Sequence, residues 1–193
     1  HRLVGVCRDF AVLFVALLRH QGVPARLRVG FARYFLTDIK NEDHWIAEYW
    51  DAAQARWVLV DPQVDDAQRE AHGIDFDTLD MRFDDHFYLA GQAWQLCRSG
   101  QAKPNDFGFN KNWKGWWSIR SNLLHDLNAL NRIELLPWDV GGDWGRKTER
   151  DLTSEDRALL DRLADLTTDA DNCLDEIHAL YEEMDYTQTV RST

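Results

Sequence analysis

At 193 residues the chain is long enough for one domain with a large hydrophobic core, and we expect that domain to carry a helical extension. Its 22 Lys and Arg residues against 33 Asp and Glu residues give a formal net charge of −11, with no basic run, which disfavours binding to nucleic acid or to an anionic membrane surface. The longest apolar run, Phe10 to Leu18, is too short to span a bilayer and lacks the flanks of a signal peptide, so we expect a soluble protein.

The three cysteines, Cys7, Cys97 and Cys173, lie far apart along the chain. An odd and widely spaced set does not form a disulfide framework or a paired-cysteine metal site. We therefore predict a reducing, cytoplasmic setting, and neither a metal nor another cofactor. Because the chain begins at His1 and enters an apolar segment almost at once, we also expect a fragment or processed form whose N-terminal part is missing.

The first element is a predicted helix from about Cys7 to His20. Its apolar residues recur at the spacing of one helical face, and Gly22 and Pro24 supply a stop signal. Cys7 then lies in the first turn, where unpaired backbone N–H groups carry partial positive charge. That charge favours a thiolate, and the same N–H groups can receive the oxyanion of an attacked carbonyl. The alternative role for Cys7 is that of a small apolar residue in the core.

Three strands are predicted next. Residues 25–35 alternate, with Arg26 and Arg28 on one face and apolar side chains on the other, which predicts a half-buried strand. Residues 44–50 and 55–61 form two further predicted strands, and a proline ends the second of them. The short connection between these two strands predicts a hairpin.

The register of this hairpin decides whether two polar side chains meet. A four-residue loop at 51–54 would place Trp50 opposite Ala55 and His44 opposite Asp61. Directly opposed side chains share a face, with Cβ atoms about 5 Å apart. We therefore predict an imidazole–carboxylate hydrogen bond between His44 and Asp61.

The remainder of the chain adds mainly helices. The predicted elements are an irregular acidic connection at 62–85, a helix at 85–97, an aromatic segment at 107–117, a helix at 118–131, an extended segment at 133–139, and an antiparallel helix pair beginning after Thr153 or Ser154. The aromatic segment is either a loop anchored in the core by its aromatic side chains, or the wall or lid of a cleft. We divide the chain into a catalytic core at 1–150 and a helical extension at 151–193 packed on that core.

A cysteine nucleophile needs a base that takes its proton and a third group that fixes the tautomer of the base. Cys7 at a helix start, His44 at a strand start and Asp61 at the end of the neighbouring strand supply these three groups. The other histidines lie near a helix end or among acidic and helical surroundings, and lack such a context.

Three segments resemble the core motifs of the transglutaminase-like superfamily, which is related to papain-type cysteine enzymes. They are Gly5-Val6-Cys7-Arg8-Asp9-Phe10-Ala11, Asp43-His44-Trp45-Ile46-Ala47-Glu48-Tyr49-Trp50 and Trp57-Val58-Leu59-Val60-Asp61-Pro62. The segments at 93–97 and 130–139 are similar to those of a bacterial branch of that superfamily, but they do not indicate a reaction or a substrate.

This resemblance implies that Cys7 is the nucleophile, His44 the base and acid, and Asp61 the orienting carboxylate. It also implies an α+β fold with a transglutaminase-like, papain-like core, in which the helix bearing Cys7 packs on an antiparallel β-sheet and helices follow toward the C-terminus. In this superfamily, residues upstream of the nucleophile contribute helices and often a side chain that helps hold the oxyanion. We therefore expect nearly all of that region to be missing from this sequence.

The expected function is cysteine-dependent acyl transfer. An amide or thioester donor would form a thioester on Cys7, which an amine or water would then resolve. A cysteine protease or amidase, and a non-catalytic binding module on the same fold, are the alternatives. A metal hydrolase that uses His44 and Asp61 is disfavoured because no further ligand lies at metal-site spacing.

Four residues are predicted to contact the substrate. They are Arg8, Trp45, Trp116 and Trp117, with packing in the sheet as the alternative role for Trp45. The expected partner is a peptide, an amide or an acyl thioester, and we expect neither nucleic acid nor membrane as a partner. The sequence gives no indication of the oligomeric state.

Overall fold

The computed structural model describes residues 4–35, 37–83, 85–139, 144–145 and 147–184. Its helices include α1 Cys7–His20, α2 Asp66–His72, α3 Ala90–Arg98, α4 Trp116–Leu130, α5 Ser154–Thr168 and α6 Leu174–Glu183. Its strands are β1 Ala25–Ala32, β2 Asn41–Asp51, β3 Arg56–Val60, β4 Phe87–Leu89, β5 Phe107–Asn110 and β6 Trp113–Lys114, and a short 3-10 helix covers Pro104–Asp106. The described chain is a mixed α+β structure, as predicted.

The predicted helices with both an apolar stripe and a clear end signal agree closely with the structure. α1 has the predicted bounds, and α4 begins two residues earlier and ends one residue earlier than predicted. α5 follows Thr153, whose hydroxyl accepts the N–H of Asp156 at 3.1 Å. A capping side chain of this kind satisfies a helix N–H group that has no partner within the helix.

The helix predicted at 85–97 is wrong in its first part. Phe87–Leu89 is a strand that pairs with β1, and the helix begins only at Ala90. The Leu89 N–H donates to Oε1 of Gln92 at 2.8 Å, which fixes the change from strand to helix. The local pattern of these residues is helical, and it contains no information about their pairing with a neighbouring strand.

The acidic connection predicted to be irregular contains α2. Asp65 begins this helix by accepting the Gln68 N–H at 2.9 Å, and Gly73 ends it with a φ of +65°. A capping aspartate and a left-handed glycine are ordinary helix end signals. No residue of this short helix is buried, so the apolar pattern that normally indicates a helix is missing.

The sheet has the strand order β4-β1-β2-β5-β6, and β3 pairs with β2 as well. Its pairs are antiparallel except for β2 with β5, which run parallel. The expected all-antiparallel sheet is therefore wrong for this one pair. The parallel pair arises because β5 comes back to the sheet after α3 and enters beside the start of β2.

β2 is the longest strand, and one of its edges is shared by two neighbours. β5 pairs with Asn41 and Glu42, whereas β3 pairs with residues 47–51. Neither neighbour pairs with residues 43–46 on this side of the strand. The sheet therefore opens beside His44, and this opening positions the candidate site.

Helix α1 packs on one face of the central strands. Ala11 and Val15 of α1 lie in a buried cluster with Leu27 and Val29 of β1, and Trp45 and Ala47 of β2. Two side chains of the helix are fully enclosed, and its remaining apolar residues are half-buried or exposed. This packing places the first turn of α1, and with it Cys7, against the sheet.

β1 is buried along its whole length, and the expectation of a half-buried strand is wrong. The Arg28 side chain forms a bidentate pair with Asp126 of α4 at 3.1 and 2.9 Å and donates to the Thr167 carbonyl of α5 at 2.7 Å. Glu48 accepts from both Arg26 and Arg28, at 2.6 and 3.3 Å. Helices α4 and α5 therefore cover the charged side chains of β1.

Asp126→Ala should destabilise the protein by about 3–5 kcal/mol, because it leaves the Arg28 guanidinium buried without its bidentate partner. The Val29 N–H, which donates to the same carboxylate at 2.8 Å, also loses its acceptor. Urea unfolding at pH 7 measures the change. Asp165→Ala, which removes an exposed carboxylate that accepts from Gln95, is the control and should cost less than about 1 kcal/mol. Equal effects of the two substitutions would contradict the assigned role of Asp126.

The C-terminal helices α5 and α6 share a hydrophobic cluster with α3 and α4. Leu160 and Leu163 of α5, with Ile177 and Leu180 of α6, are fully buried in it. The residues 151–193 that the sequence separates as an extension thus pack directly on the helical side of the core as far as Met184. Among the described helices, none combines the length and apolar character needed to cross a membrane.

Candidate active site

The β2–β3 hairpin has a register two residues away from the predicted one. Trp50 pairs with Trp57 and not with Ala55, and the turn occupies residues 52–55. Asp51 favours this turn because its Oδ1 accepts the N–H groups of the second and third turn residues at 2.8 and 3.1 Å. The two indole rings then stack edge to face, with ring centroids 5.8 Å apart.

A shift of two residues leaves every side chain on its original face, because strand side chains alternate with a period of two. Asp61 follows the last pair, Ala47 with Val60, and so lies one position beyond it. It is therefore diagonal to His44 and not directly opposite. The predicted contact is still present: Nε2 of His44 lies 2.7 Å from Oδ2 of Asp61.

The Asp61 carboxylate is held by three donors. Its Oδ2 accepts from the Tyr34 hydroxyl at 2.6 Å in addition to the imidazole, and its Oδ1 accepts the Gln63 N–H at 2.9 Å. His44 and Asp61 are 3% and 1% exposed, so these bonds lie away from bulk water. The imidazole is therefore fixed in orientation by a carboxylate that is itself fixed.

Cys7, in the first turn of α1, lies beside His44, where its charge and its hydrogen-bonding capacity contribute to raising the pKa of the imidazole. Because Asp61 occupies Nε2, the ring nitrogen left for the sulfur is Nδ1. The structure thus brings the three predicted groups into one chain of contacts, from thiol to imidazole to carboxylate.

The charges in this chain shift the pKa values of its members. Burial alone would lower the pKa of His44, but the charges of Asp61 and Cys7 and hydrogen bonds to both raise it well above 6.5. Burial would raise the pKa of Asp61, yet the imidazolium and the hydrogen bonds from His44, Tyr34 and Gln63 lower it below 3.8. The pairing favours an imidazolium at His44 beside an ionised carboxylate at Asp61.

The raised pKa of His44 predicts a pH-dependent contribution to stability. A group whose pKa is higher in the folded state stabilises the fold fully below its unfolded value, near 6.5, and loses that contribution as pH rises through the folded value. The free energy of unfolding should therefore differ more between the wild type and His44→Gln at pH 6 than at pH 10. Urea titrations at the two pH values measure this. A difference that grows with pH would contradict the charged pairing.

Backbone N–H groups lie beside the sulfur at the start of α1. The N–H groups of Asp9 and Phe10 donate to the Val6 carbonyl at 2.9 and 3.4 Å, and the Val6 N–H donates to Oδ2 of Asp9 at 3.0 Å. The N–H groups of Cys7 and Arg8 come before the residues that can donate within the helix. Such N–H groups at a helix N-terminus are available to a bound anion or a carbonyl oxygen.

A cavity of about 420 Å³ opens above Cys7. Its lining residues are mostly aromatic or apolar: Val6, Cys7, Asp43, Phe109, Asn110, Trp113, Trp117, Pro137 and Trp138. We call this set of residues the aromatic cleft. The hairpin of β5 and β6 with the start of α4 forms one wall, and residues 137–138 form the other. Part of the segment at 107–117 is thus a cleft wall, while Phe107 and Trp116 anchor it in the core, so both predicted roles apply.

The four predicted substrate contacts have different surroundings. Trp117 lines the aromatic cleft. Trp45 is 1% exposed and lies in the core beneath α1, and Trp116 packs against Trp94 with ring centroids 5.1 Å apart. Arg8 donates to the backbone carbonyls of residues 134 and 135 at 2.9 and 3.0 Å. Trp45 therefore has the packing role that the sequence left open, and Arg8 and Trp116 do not line the cleft.

Several residues of this site were not predicted from the sequence. Tyr34 follows β1 at a strand end, and no local pattern shows that its hydroxyl reaches Asp61. Asp43 precedes His44 within the recognised motif, and burial raises its pKa to about 6 against the opposing hydrogen bond from Asn122. Trp138 lies in the 133–139 segment. The places of these three residues depend on distant parts of the chain. For the opposite wall of the cleft, the density of aromatic residues at 107–117 is a usable signal.

Among the residues that the structure describes, no group of three or more His, Cys, Asp or Glu side chains is arranged to hold a metal ion. Nε2 of His44 is occupied by its hydrogen bond to Asp61.

Fold and site together define a class: an α+β protein that groups a cysteine at a helix N-terminus with a buried histidine and aspartate on the adjoining sheet. Residues 2–62 match the family model of the transglutaminase-like superfamily, and this match over less than half of the chain supports the superfamily that the sequence motifs resemble. It supports a family of the cysteine-enzyme type without specifying a reaction. No curated protein and no solved structure matches the chain.

Proposed function

We propose that the protein is an acyl-transfer enzyme that works through a thioester on Cys7. The observation that carries this proposal is the continuous chain of contacts from Cys7 through His44 to Asp61, with Tyr34 as a further donor to the carboxylate. A non-catalytic binding module needs no such chain. The family match over residues 2–62 is in agreement.

In the first step the Cys7 thiolate attacks the carbonyl carbon of an amide or thioester, and a carbon–sulfur bond forms. The N–H groups of Cys7 and Arg8 stabilise the oxyanion of the tetrahedral intermediate. As the intermediate collapses, the bond to the leaving group breaks and Nδ1 of His44 gives that group its proton. The products are a thioester on Cys7, a neutral imidazole and a free amine or thiol.

In the second step an amine or water attacks the thioester. Nδ1 of His44 takes a proton from the attacking group, and the carbon–sulfur bond breaks to return the thiolate. Asp61 holds Nε2–H throughout, so that Nδ1 is the nitrogen that exchanges protons. Transfer to an amine and hydrolysis by water thus use the same residues and differ only in the acceptor.

The test of this function uses acyl thioesters of N-acetylcysteamine as donors. Wild-type protein should release thiol and carry an acyl adduct on Cys7 by intact mass and peptide mapping. Adding a primary amine shows whether transfer competes with hydrolysis, since an amide product then appears. Absence of any Cys7 adduct and of thiol release above buffer would overturn the proposal.

The remaining cysteines provide internal controls. Burial, with a smaller effect of Asp106, raises the pKa of Cys97 to about 11, and burial and two nearby carboxylates raise the pKa of Cys173. Iodoacetamide at pH 7 should therefore modify Cys7 well before the other two, because only the thiolate reacts. Modification of Cys173 at the same rate would favour the binding module.

Tyr34→Phe should lower the rate of thiol release about tenfold and shift the acid limb of its pH profile upward. The hydroxyl stabilises the anionic form of Asp61, so its removal raises the pKa of that carboxyl and its protonation begins at higher pH. Rates between pH 3.5 and 8 measure both effects. Tyr88→Phe, at a ring that packs beneath Arg33, is the control and should keep the wild-type profile. An unshifted acid limb in Tyr34→Phe would contradict the role assigned to the hydroxyl.

A further inference from the structure

The aromatic cleft indicates which acyl group the enzyme takes. Phe109, Trp113 and Trp138 are 63%, 56% and 68% exposed, which is unusual for side chains of this size, and all three face the cavity that contains Cys7. Exposed apolar groups gathered around one concavity indicate a binding site. They would lose contact with water if an apolar group filled the space.

Both walls of the cleft are fixed by local hydrogen bonds. Oδ1 of Asn110 accepts the N–H groups of Asn112 and Trp113 at 2.9 and 3.1 Å, which closes the hairpin. On the other side, Oδ2 of Asp139 accepts the Leu136 N–H at 3.0 Å, and the Asp139 N–H donates back to the Leu136 carbonyl at 2.9 Å. The aromatic side chains are therefore presented on formed turns, so binding needs little ordering of the walls.

The size and shape of the cleft favour a flat ring over a small or linear group. Its volume of about 420 Å³ leaves most of the space unfilled by an acetyl group. Trp113 and Trp117 meet at a tilted angle with ring centroids 5.4 Å apart, and this geometry provides faces and edges against which another ring can pack.

The charge in the cleft indicates which acyl donors are excluded. Asp43 is the acidic group among the described lining residues, and no lysine or arginine lies among them. The chain as a whole carries a net charge of −11. A donor with a carboxylate on its acyl group would meet repulsion both on approach and in the cleft.

We propose that the acyl donor is an uncharged acyl group ending in an aromatic ring, held by Phe109, Trp113, Trp117 and Trp138 with its carbonyl at Cys7. This inference rests on the proposed thioester chemistry and names the substrate class of that site. The ring lies in the cleft, and Asp43 selects against an acidic acyl chain. A ring carried by a peptide residue and a ring carried by a small carboxylic acid present the same chemistry.

The experiment compares donors with one leaving group. The protein is mixed at pH 7.5 with each of four N-acetylcysteamine thioesters: those of 3-phenylpropionate, N-acetylphenylalanine, acetate and glutarate. The rate at which the acyl adduct forms on Cys7 is measured by mass spectrometry. The aromatic donors should acylate at least tenfold faster than acetyl, and glutaryl should be slowest. The two aromatic donors distinguish a peptide source from a small-acid source by their relative rates.

Variants of the lining residues test whether the aromatic cleft causes the preference for aromatic donors. Trp113→Ala and Trp138→Ala should lower the aromatic rates at least tenfold and the acetyl rate far less, and Asp43→Asn should raise the glutaryl rate. Leu79→Ala removes an apolar side chain that is 57% exposed and lies outside the cleft, and it should change no rate.

Two kinds of failure are distinguishable. Equal rates for aromatic and acetyl donors, or tryptophan variants that slow both donors alike, would overturn the substrate class while leaving the thioester chemistry in place. No adduct from any donor above the level of Cys7→Ala would instead overturn the proposed function itself.

Discussion

Cys7→Ala should remove thioester formation and lower thiol release to the uncatalysed background, a loss of roughly 10⁴-fold or more. The variant lacks the atom that bonds to the acyl carbon, and neither His44 nor Asp61 can replace it. The fold should survive, since Cys7 is only half-buried at the start of α1 and its removal leaves a small gap. Thiol release, intact mass and urea unfolding together measure these effects.

Two further variants make this result specific. Cys7→Ser keeps the shape and the hydrogen bond but replaces the thiolate with a weakly acidic hydroxyl, so it should remain inactive. Cys173→Ala changes a half-buried cysteine just before α6 and should keep full activity. Wild-type turnover in Cys7→Ala would show that the nucleophile lies elsewhere.

Asp61→Asn should lower the rate on the order of 10³–10⁴-fold with the protein still folded. The Gln63 N–H donates to Oδ1 of Asp61, so an asparagine in this place turns its carbonyl oxygen toward Gln63 and its NH₂ group toward His44. The NH₂ group donates to Nε2 and forces the proton onto Nδ1. The imidazole then presents an N–H to the sulfur and cannot take the proton of the thiol.

The tautomer can be measured directly. In ¹⁵N NMR of His44, the wild type should carry its proton at Nε2 whenever the ring is neutral, and Asp61→Asn should carry it at Nδ1. Asp80→Asn, at a carboxylate paired with Arg56 on the surface side of the sheet, is the matched control and should keep activity. Activity of Asp61→Asn within tenfold of the wild type would contradict the tautomer argument.

Much of the site was predictable because its residues lie close to elements with strong local signals. The bounds of α1 follow from an apolar stripe and a stop signal, so the position of Cys7 in the first turn follows as well. The contact between His44 and Asp61 survived a wrong register because the error was an even number of residues. A shift of one residue would have placed the two groups on opposite faces.

What could not be predicted depends on parts of the chain that are distant in sequence. The burial of Arg28 results from α4 and α5, which come about 100 residues or more later, and alternation along β1 contains no information about them. The parallel pairing of β5 and the contact of Tyr34 with Asp61 are likewise tertiary. For Trp45 and Trp116 the residue type alone did not distinguish a ring in the core from a ring in a cleft.

The Arg8 side chain gives the nucleophile and one wall of the cleft a common anchor. Its guanidinium holds the carbonyls of Glu134 and Leu135, two residues before Pro137, and its backbone follows Cys7 directly. We expect a ligand that displaces Trp138 to move the helical turn that carries the sulfur as well. If the width of the cleft and the position of the sulfur are linked in this way, Arg8→Ala should lower the rate of the aromatic donors without removing a residue that lines the cleft.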